Sequence, residues 1–491
     1  MAAQQKGKFT VGDYLAQRLA EVGVRHHFVV PGDYNLILLD KLQAHPDLKE
    51  VGCANELNCS LAAEGYARAN GVSACVVTYS VGALSAFNGT GSAYAENLPL
   101  ILISGSPNTN DSAQYHILHH TLGHPDYTYQ YEMAKKITCC ARRHDPITSD
   151  KNALEAAATC ASEYLDGKLK PVILVGPKLG RAGAEKELLQ FAEAMGCAVA
   201  LQPAAKGMFP EDHKQFVGIF WGQVSSDAAD SMVHWADAMI CVGTIFNDYS
   251  TVGWTAVPDI PLMSIDMDHV TFPGAHFSRV RMGEFLSHLA TQVTFNETTM
   301  IEYKRLKPDP PHVHTAARED ALTRKEISRQ FEIEMQWGHI GWSIPAAFGY
   351  ALRHPDRHTI VLIGDGSFQV TAQEVSQMVR YKVPITILLI NNRGYTIEVE
   401  IHDGSYNKIK NWDYAMLVQA FNSTDGRAKG LLANTAGELT DAIKTASEHK
   451  EGPTLIECTI DQDDCSKELI TWGHYVAAAN ARPPRNMSVQ E

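Results

Sequence analysis

The sequence predicts an α/β protein built from three doubly wound parallel-sheet domains, and three observations carry this. The chain has 491 residues, too many for one ordinary core at roughly 100–200 residues per domain. Short apolar runs alternate with helical patterns along its length, the rhythm of parallel strands crossed by helices. Two buried-strand runs, residues 358–363 and 384–390, bracket a single helix and so form a βαβ unit.

Residues 1–145 are expected to form the first domain, with strands at 74–78 and 98–104 around a Gly-rich stretch. Residues 146–304 form the second, with helices at 151–165 and 183–195 and strands at 171–175, 238–242 and 261–265. Prolines and mixed charge make 305–320 a linker. Residues 321–491 form the third domain. Here Thr371-Ala372-Gln373-Glu374 has capping-box spacing, and Val375, Met378 and Val379 give the helix starting there an apolar stripe.

Composition narrows the function classes. A 45% hydrophobic content supplies several cores, and a net charge of −14 with scattered Lys and Arg opposes a nucleic-acid or acidic-membrane surface. The start, MAAQQKGKFTVGDYL, lacks the apolar stretch of a secretory signal, and no apolar run is long enough to span a bilayer. Ten cysteines show neither zinc spacing nor a compact disulfide framework. These features predict a cytoplasmic enzyme.

The strongest chemical signal lies in the third domain. The strand ending at Ile363 runs into Gly364-Asp365-Gly366, which puts Asp365 at the carboxyl edge of the sheet, where open α/β sheets bind ligands. Twenty-seven residues on, the next strand ends at Asn391-Asn392, and Gly394 lets a backbone carbonyl approach closely. One carboxylate, one amide oxygen and one carbonyl form an all-oxygen half-site suited to Mg²⁺ completed by phosphate and water. Either piece alone reads as a plain turn; both at the ends of neighbouring apolar strands read as a site.

GDGSFQVTAQE through LLINNRGYTIEVEIHDG resembles the diphosphate- and metal-binding motif of thiamin-diphosphate enzymes. EMQWGHIGWSIPAAFGYA and YNKIKNWDYA extend the resemblance to the 2-oxo-acid decarboxylases among them, in particular those acting on pyruvate. The resemblance implies a pyrimidine-binding first domain, a Rossmann-like middle domain and a diphosphate-binding third domain. It implies that Asp365, Asn392 and the Gly394 carbonyl hold Mg²⁺, and that Gly366 and Ser367 line the diphosphate. The Gly338 carbonyl would accept the cofactor's 4′-amino group, and Ile340 would support its bent shape.

A carboxylate such as Glu56, opening a helix, is often only dipole-stabilising. CANELNCSLAAEGYARANG, however, resembles the segment whose glutamate contacts N1′ of the aminopyrimidine. Asp33 in VVPGDYN and the pair His119-His120 would by themselves be a turn residue and a surface feature. By resemblance they line the reaction center with Glu398, and such a group can relay protons near neutral pH. Ile397 would narrow the pocket toward small substrates, and Tyr249 resembles a residue near the site. His26-His27 is read as structural.

The implied activity is non-oxidative decarboxylation of pyruvate to acetaldehyde and CO₂, in a homodimer or homotetramer whose subunits share each active site. The competing expectations are a decarboxylase of bulkier 2-oxo acids such as indolepyruvate, or a noncatalytic paralogue that assembles with active subunits. The latter arises because the chain is tens of residues shorter than the family pattern at two places, near ARRHDPITSDKNALEAA and at Gln330–Phe331. Each gap would remove an interior βα element and leave backbone hydrogen bonds and apolar faces without partners.

Overall fold

The computed structural model describes residues 9–108, 117–139, 149–226, 229–257, 259–306, 337–401 and 403–480. Three sheets organise them. The first has order β2-β1-β3-β4, from β1 (His26–Val29), β2 (Lys49–Gly52), β3 (Ser73–Val77) and β4 (Leu100–Ser104), all parallel. The third has order β12-β13-β15-β14, from β12 (Thr359–Gly364), β13 (Ile385–Asn391), β14 (Lys429–Ala433) and β15 (Thr454–Thr459), also all parallel.

The middle sheet has seven strands in the order β11-β10-β9-β8-β5-β6-β7. Its members are β5 (Pro171–Val175), β6 (Ala198–Leu201), β7 (Phe216–Ile219), β8 (Ala238–Val242), β9 (Leu262–Ile265), β10 (His269–Phe272) and β11 (Ala275–Ser278). It is parallel from β9 through β8, β5 and β6 to β7, as the sequence predicts, with an antiparallel edge. β10 returns antiparallel along β9 and β11 antiparallel along β10, because only two residues separate β10 from β11, too few for a crossover.

Two helices also differ from expectation. The helix expected at 183–195 runs Glu185–Met195, because Gly183 takes a left-handed conformation at φ +61° and closes a separate short helix, Lys178–Ala182, before it. The helix expected to begin at Thr371 begins instead at Asp365, runs to Thr371, passes through one tighter turn at Ala372–Glu374 and resumes as Val375–Arg380. The capping box fails because both of its side chains are engaged elsewhere. Thr371 Oγ1 donates to the Gly341 carbonyl at 2.6 Å, and Glu374 Oε2 accepts from the Ala54 N–H at 3.1 Å.

The first and third sheets share one core. The Glu56–Asn70 helix packs on the Ser343–Arg353 helix, and Phe28, Cys59, Tyr66, Phe348, Val361, Ile363, Ile387 and Leu389 bury in a single cluster. The crossing is close. A Cβ on Gly65 would lie 2.0 Å from the Ala346 carbonyl oxygen, and one on Gly349 would lie 1.9 Å from that of Ala62.

Among the described residues, β4 and β12 are both edge strands. β4 is half-buried throughout and Ile360 on β12 is 49% exposed, as for sheets that stop short of a covering neighbour. Of the two shortened places, 140–148 of the first and Gln330–Phe331 lie outside the described residues, as does 307–320 of the linker. No described helix is long and apolar enough to cross a membrane.

Because the obstructing atoms at the helix crossing are backbone, neither helix can yield to a methyl group without separating. Gly65→Ala and Gly349→Ala are each expected to destabilise the protein by about 1–3 kcal/mol, read as a lower urea midpoint. Wild-type midpoints for both would show that the crossing is looser than described.

Candidate active site

Each chemically significant segment leaves the carboxyl end of a parallel strand. Asp33 follows β1, Glu56 follows β2, Asp365 follows β12 and Asn392 follows β13. In the first sheet β1 pairs with β2 on one side and β3 on the other, so Asp33 stands at the switch point, where such sheets open a crevice.

At the third sheet the register pairs Gly364 with Ile390, which brings Asp365 beside the Asn391-Asn392 turn. The two asparagines divide their tasks. Asn391 is buried and donates to Glu457 Oε1 at 2.7 Å, which fastens the strand end. Asn392 turns toward the edge. Its Oδ1 lies 3.2 Å from Asp365 Oδ1 and 3.0 Å from the Gly394 carbonyl oxygen. Its Nδ2 donates to Thr396 Oγ1 at 2.6 Å.

Rotating the Asn392 amide would convert the two oxygen contacts into hydrogen bonds. The oxygen-inward orientation is preferred for two reasons. It leaves the single Thr396 hydroxyl proton for the Gln462 carbonyl at 3.4 Å. It also sets the Asn392 oxygen at a distance from each of the other two near the spacing of neighbouring ligands around Mg²⁺, about 2.9 Å for metal–oxygen bonds of 2.0–2.1 Å. Asp365 is 1% exposed, and its Oδ2 accepts no hydrogen bond among the described residues. Burial raises its carboxyl above the usual carboxylate range, against the opposing N–H groups of Gly366, Arg393 and Gly394. A divalent cation would reverse that shift and hold the carboxylate ionised. The residues present therefore fit the metal.

Gly366 must lack a side chain here, since a Cβ would meet the Tyr395 ring at 2.4 Å. Ser367 Oγ accepts from the Gly341 N–H at 2.6 Å; with the Thr371 contact, this clamps the 337–342 loop onto the Asp365–Thr371 helix. Within that loop Gly338 has φ +71° with open space where a Cβ would stand, and Ile340 is 51% exposed. Trp337 Nε1 reaches back to Asn88 Oδ1 at 2.8 Å on the Val81–Ala95 helix. The loop thus bridges the first and third sheets and presents an apolar side chain outward, as a group supporting an aromatic cofactor must.

Glu56 is the first residue of its helix, capped by Asn55, whose side chain accepts from the Asn58 N–H. Its Oε1 lies 3.1 Å from where a Gly82 Cβ would stand. The preceding Ala54 N–H is the one taken by Glu374, so the start of this helix is tied to the element that begins with Asp365.

Asp33, His119 and His120 assemble as expected, with one ligand atom from each lying within 4.8 Å of the others. His119 Nε2 is 2.8 Å from Asp33 Oδ2, and the two imidazoles stand edge to face at 4.5 Å. Tyr34 and Tyr129 position the pair by donating to the carbonyls of His119 and His120 at 3.2 and 2.9 Å. Glu398 does not join them through any hydrogen bond among the described residues. It sits on the Thr396–Ile401 helix with Ile397, which is 41% exposed, and its charge acts on Tyr249. Burial first, and that charge second, raise the Tyr249 hydroxyl, while the Trp472 ring packs on Tyr249 at 5.0 Å. His26 and His27 lie on β1, both lowered to about 4 chiefly by burial.

Comparison with known proteins bears on this geometry. Three family models match: "Thiamine pyrophosphate enzyme, N-terminal TPP binding domain" at residues 9–128, the central domain at 158–289, and the C-terminal TPP binding domain at 314–458. The chain belongs to the thiamine pyrophosphate enzymes. Its cofactor is accordingly thiamin diphosphate.

A pyruvate decarboxylase of Neurospora crassa is 79% identical over 570 positions covering all of both chains. That alignment is longer than the 491 residues here, so the chain lacks stretches its relative has. A probable pyruvate decarboxylase of Schizosaccharomyces pombe is 50% identical over 98% of each chain, and pyruvate decarboxylase 2 of Arabidopsis thaliana 40% over 97% of this chain and 92% of its own. The X-ray structure of a Mycobacterium smegmatis protein described as thiamin diphosphate-dependent shares the fold, with a TM-score of 0.68 at 19% identity, over 92% of this chain and 99% of its own.

Sequence reasoning read Glu374 as a capping residue and missed its burial, for which the only signal was an acidic residue among the apolar positions of a helix. It is fully buried, and burial pushes its carboxyl up to about 7 from 4.5. The folded protein therefore keeps a proton that the unfolded chain has already lost. The resulting stability is complete below pH 4.5 and disappears as pH rises through 7. Glu374→Gln, neutral at every pH, should shrink the stability difference between pH 5 and pH 8 measured by urea unfolding. An undiminished difference would assign it to other groups.

Proposed function

We propose that the protein converts pyruvate to acetaldehyde and CO₂, with Asp365, Asn392 and the Gly394 carbonyl holding Mg²⁺ for the cofactor diphosphate. The approach of Asn392 Oδ1 to Asp365 Oδ1 at 3.2 Å and to the Gly394 carbonyl oxygen at 3.0 Å is the observation that carries the reading. When bound, thiamin diphosphate supplies the carbon nucleophile and the electron sink that decarboxylation of a 2-oxo acid requires.

The residues of the chain do the rest. The Glu56 carboxyl stands at a helix start to exchange a proton with N1′ of the aminopyrimidine, and the Gly338 carbonyl orients its amino group. Asp33, His119 and His120, already hydrogen-bonded or in ring contact, hold and deliver protons to the reacting carbon, with Glu398 supplying a further carboxyl and Ile397 limiting substrate size. Gly366 and Ser367 line the diphosphate side.

The full-length relatives are named as pyruvate decarboxylases, so neither bulkier 2-oxo acids nor a noncatalytic role is favoured. The working assembly is proposed to be a homodimer or homotetramer. Its support is the exposed apolar surface of the first sheet's helices and loops, including Val11, Tyr14, Ile37, Ile117 and Leu122. A cytoplasmic location agrees with the free thiols of the described cysteines.

Purified protein with thiamin diphosphate and Mg²⁺ is expected to release acetaldehyde from pyruvate, faster than it turns over indolepyruvate. No acetaldehyde would sink the proposal, and a preference for indolepyruvate would reassign the substrate. Glu56→Gln should lower turnover by about 10²–10⁴-fold while still binding cofactor; unchanged turnover would remove Glu56 from the chemistry.

A further inference from the structure

Asp33, His119 and His120 make a second set of ligand atoms, apart from the oxygens at the third sheet. One ligand atom from each lies within 4.8 Å of the other two, and among the described residues no other three His, Cys, Asp or Glu side chains gather this closely. The nearest pair is His119 Nε2 and Asp33 Oδ2 at 2.8 Å, and the His120 imidazole stands edge to face on that of His119 at 4.5 Å. Two imidazoles and one carboxylate suit first-row transition cations, whereas Mg²⁺ favours oxygen ligands alone.

The surroundings hold these donors in place. His120 takes a left-handed backbone conformation, φ +69°, which costs a non-glycine residue free energy. The Tyr129 hydroxyl, donating to the His120 carbonyl at 2.9 Å, helps to keep it there. Tyr34 Oη lies 3.2 Å from the His119 carbonyl oxygen and 3.4 Å from His119 Nδ1. An Nδ1–H aimed at that hydroxyl oxygen leaves the Nε2 lone pair facing Asp33, the usual second-shell arrangement of a metal-ligating histidine. A lone pair and a carboxylate oxygen at 2.8 Å need a cation between them, either a proton or a metal ion. Ligands of tetrahedral zinc, bonded at about 2.0–2.2 Å, stand roughly 3.3 Å apart. Asp33 and His119 are both more than half exposed, so the pair can open by that difference.

We propose that Asp33, His119 and His120 form a binding site for a first-row transition cation, with Zn²⁺ the ion that fits, and that filling it stops turnover by occupying the atoms that carry protons. The ion takes three protein ligands and keeps one position for water, as accessible zinc sites do. All three ligands come from one chain. The site is therefore complete in a single subunit, and filling it requires neither the cofactor nor a partner chain. Only the loss of turnover rests on the proposed function.

The test uses the full chain with thiamin diphosphate and saturating Mg²⁺. Zn²⁺ binding is measured by calorimetry, and Co²⁺ serves as a visible probe, its absorption intensifying when the ion enters a four- or five-coordinate protein site. One tight Zn²⁺ per chain is expected, in the parent and equally in Asp365→Ala, and it should be lost in His119→Ala and in Asp33→Ala together with the Co²⁺ absorption. X-ray absorption of the Zn²⁺-loaded parent should show nitrogen and oxygen ligands, a readout that holds even if a variant does not fold. Acetaldehyde release should fall in proportion to the Zn²⁺ bound and recover when a zinc-selective chelator removes it with Mg²⁺ in excess. The site is overturned by the absence of saturable Zn²⁺ binding, by binding that survives His119→Ala and Asp33→Ala, or by sulfur among the ligands. Full activity with the site filled overturns the inhibitory role. A parent that makes no acetaldehyde before Zn²⁺ is added fails the proposed function instead, and calorimetry then decides the site by itself.

Discussion

Everything near the candidate site depends on how closely the Glu56–Asn70 and Ser343–Arg353 helices approach. At Gly65 and Gly349 each backbone sits where a side chain of the other helix would be, with carbonyl oxygens only 2.0 and 1.9 Å from the missing Cβ positions. The contact merges the first and third sheets into one core. It also makes the helix that begins with Glu56 and the loop that carries Gly338 parts of one rigid body. Glu374, reaching to the Ala54 N–H, and Trp337, reaching to Asn88, are further ties across the same boundary.

On that body the chemistry is divided between two sheet edges. The third sheet gathers the oxygens of Asp365, Asn392 and Gly394, and among the described residues no cation offsets the buried Asp365 carboxylate, which such burial disfavours until a metal arrives. The first sheet gathers carboxyl and imidazole groups that remain accessible, with Asp33 and His119 more than half exposed. Anchoring is buried and proton handling is open, as expected for a cofactor held by its diphosphate while its other end meets substrate.

Much of the fold was legible because buried parallel strands are short, apolar and uninterrupted. Pro171–Val175 and Ala238–Val242 have the predicted bounds, and β12 and β13 differ by one residue at each end. The nearness of Asp365, Asn392 and Gly394 was legible because turn glycines and strand ends fix their spacing. Misreadings came where a side chain has a long-range partner. Thr371 and Glu374 look like a local cap, but one bonds Gly341 and the other Ala54, a choice invisible to nearest-neighbour spacing. The hairpin at β10–β11 went unread because His269–Ser278 mixes polar and apolar residues on a half-buried edge.

The account stands on the oxygen cluster at Asp365, Asn392 and Gly394 being a cation site that carries the diphosphate. Calorimetric titration of the protein with thiamin diphosphate, in Mg²⁺ and then in excess chelator, tests this most directly. Binding is predicted in Mg²⁺, with loss of affinity in chelator and in Asp365→Ala at saturating Mg²⁺. Equal affinity with and without the metal, or an undiminished affinity in Asp365→Ala, would contradict it.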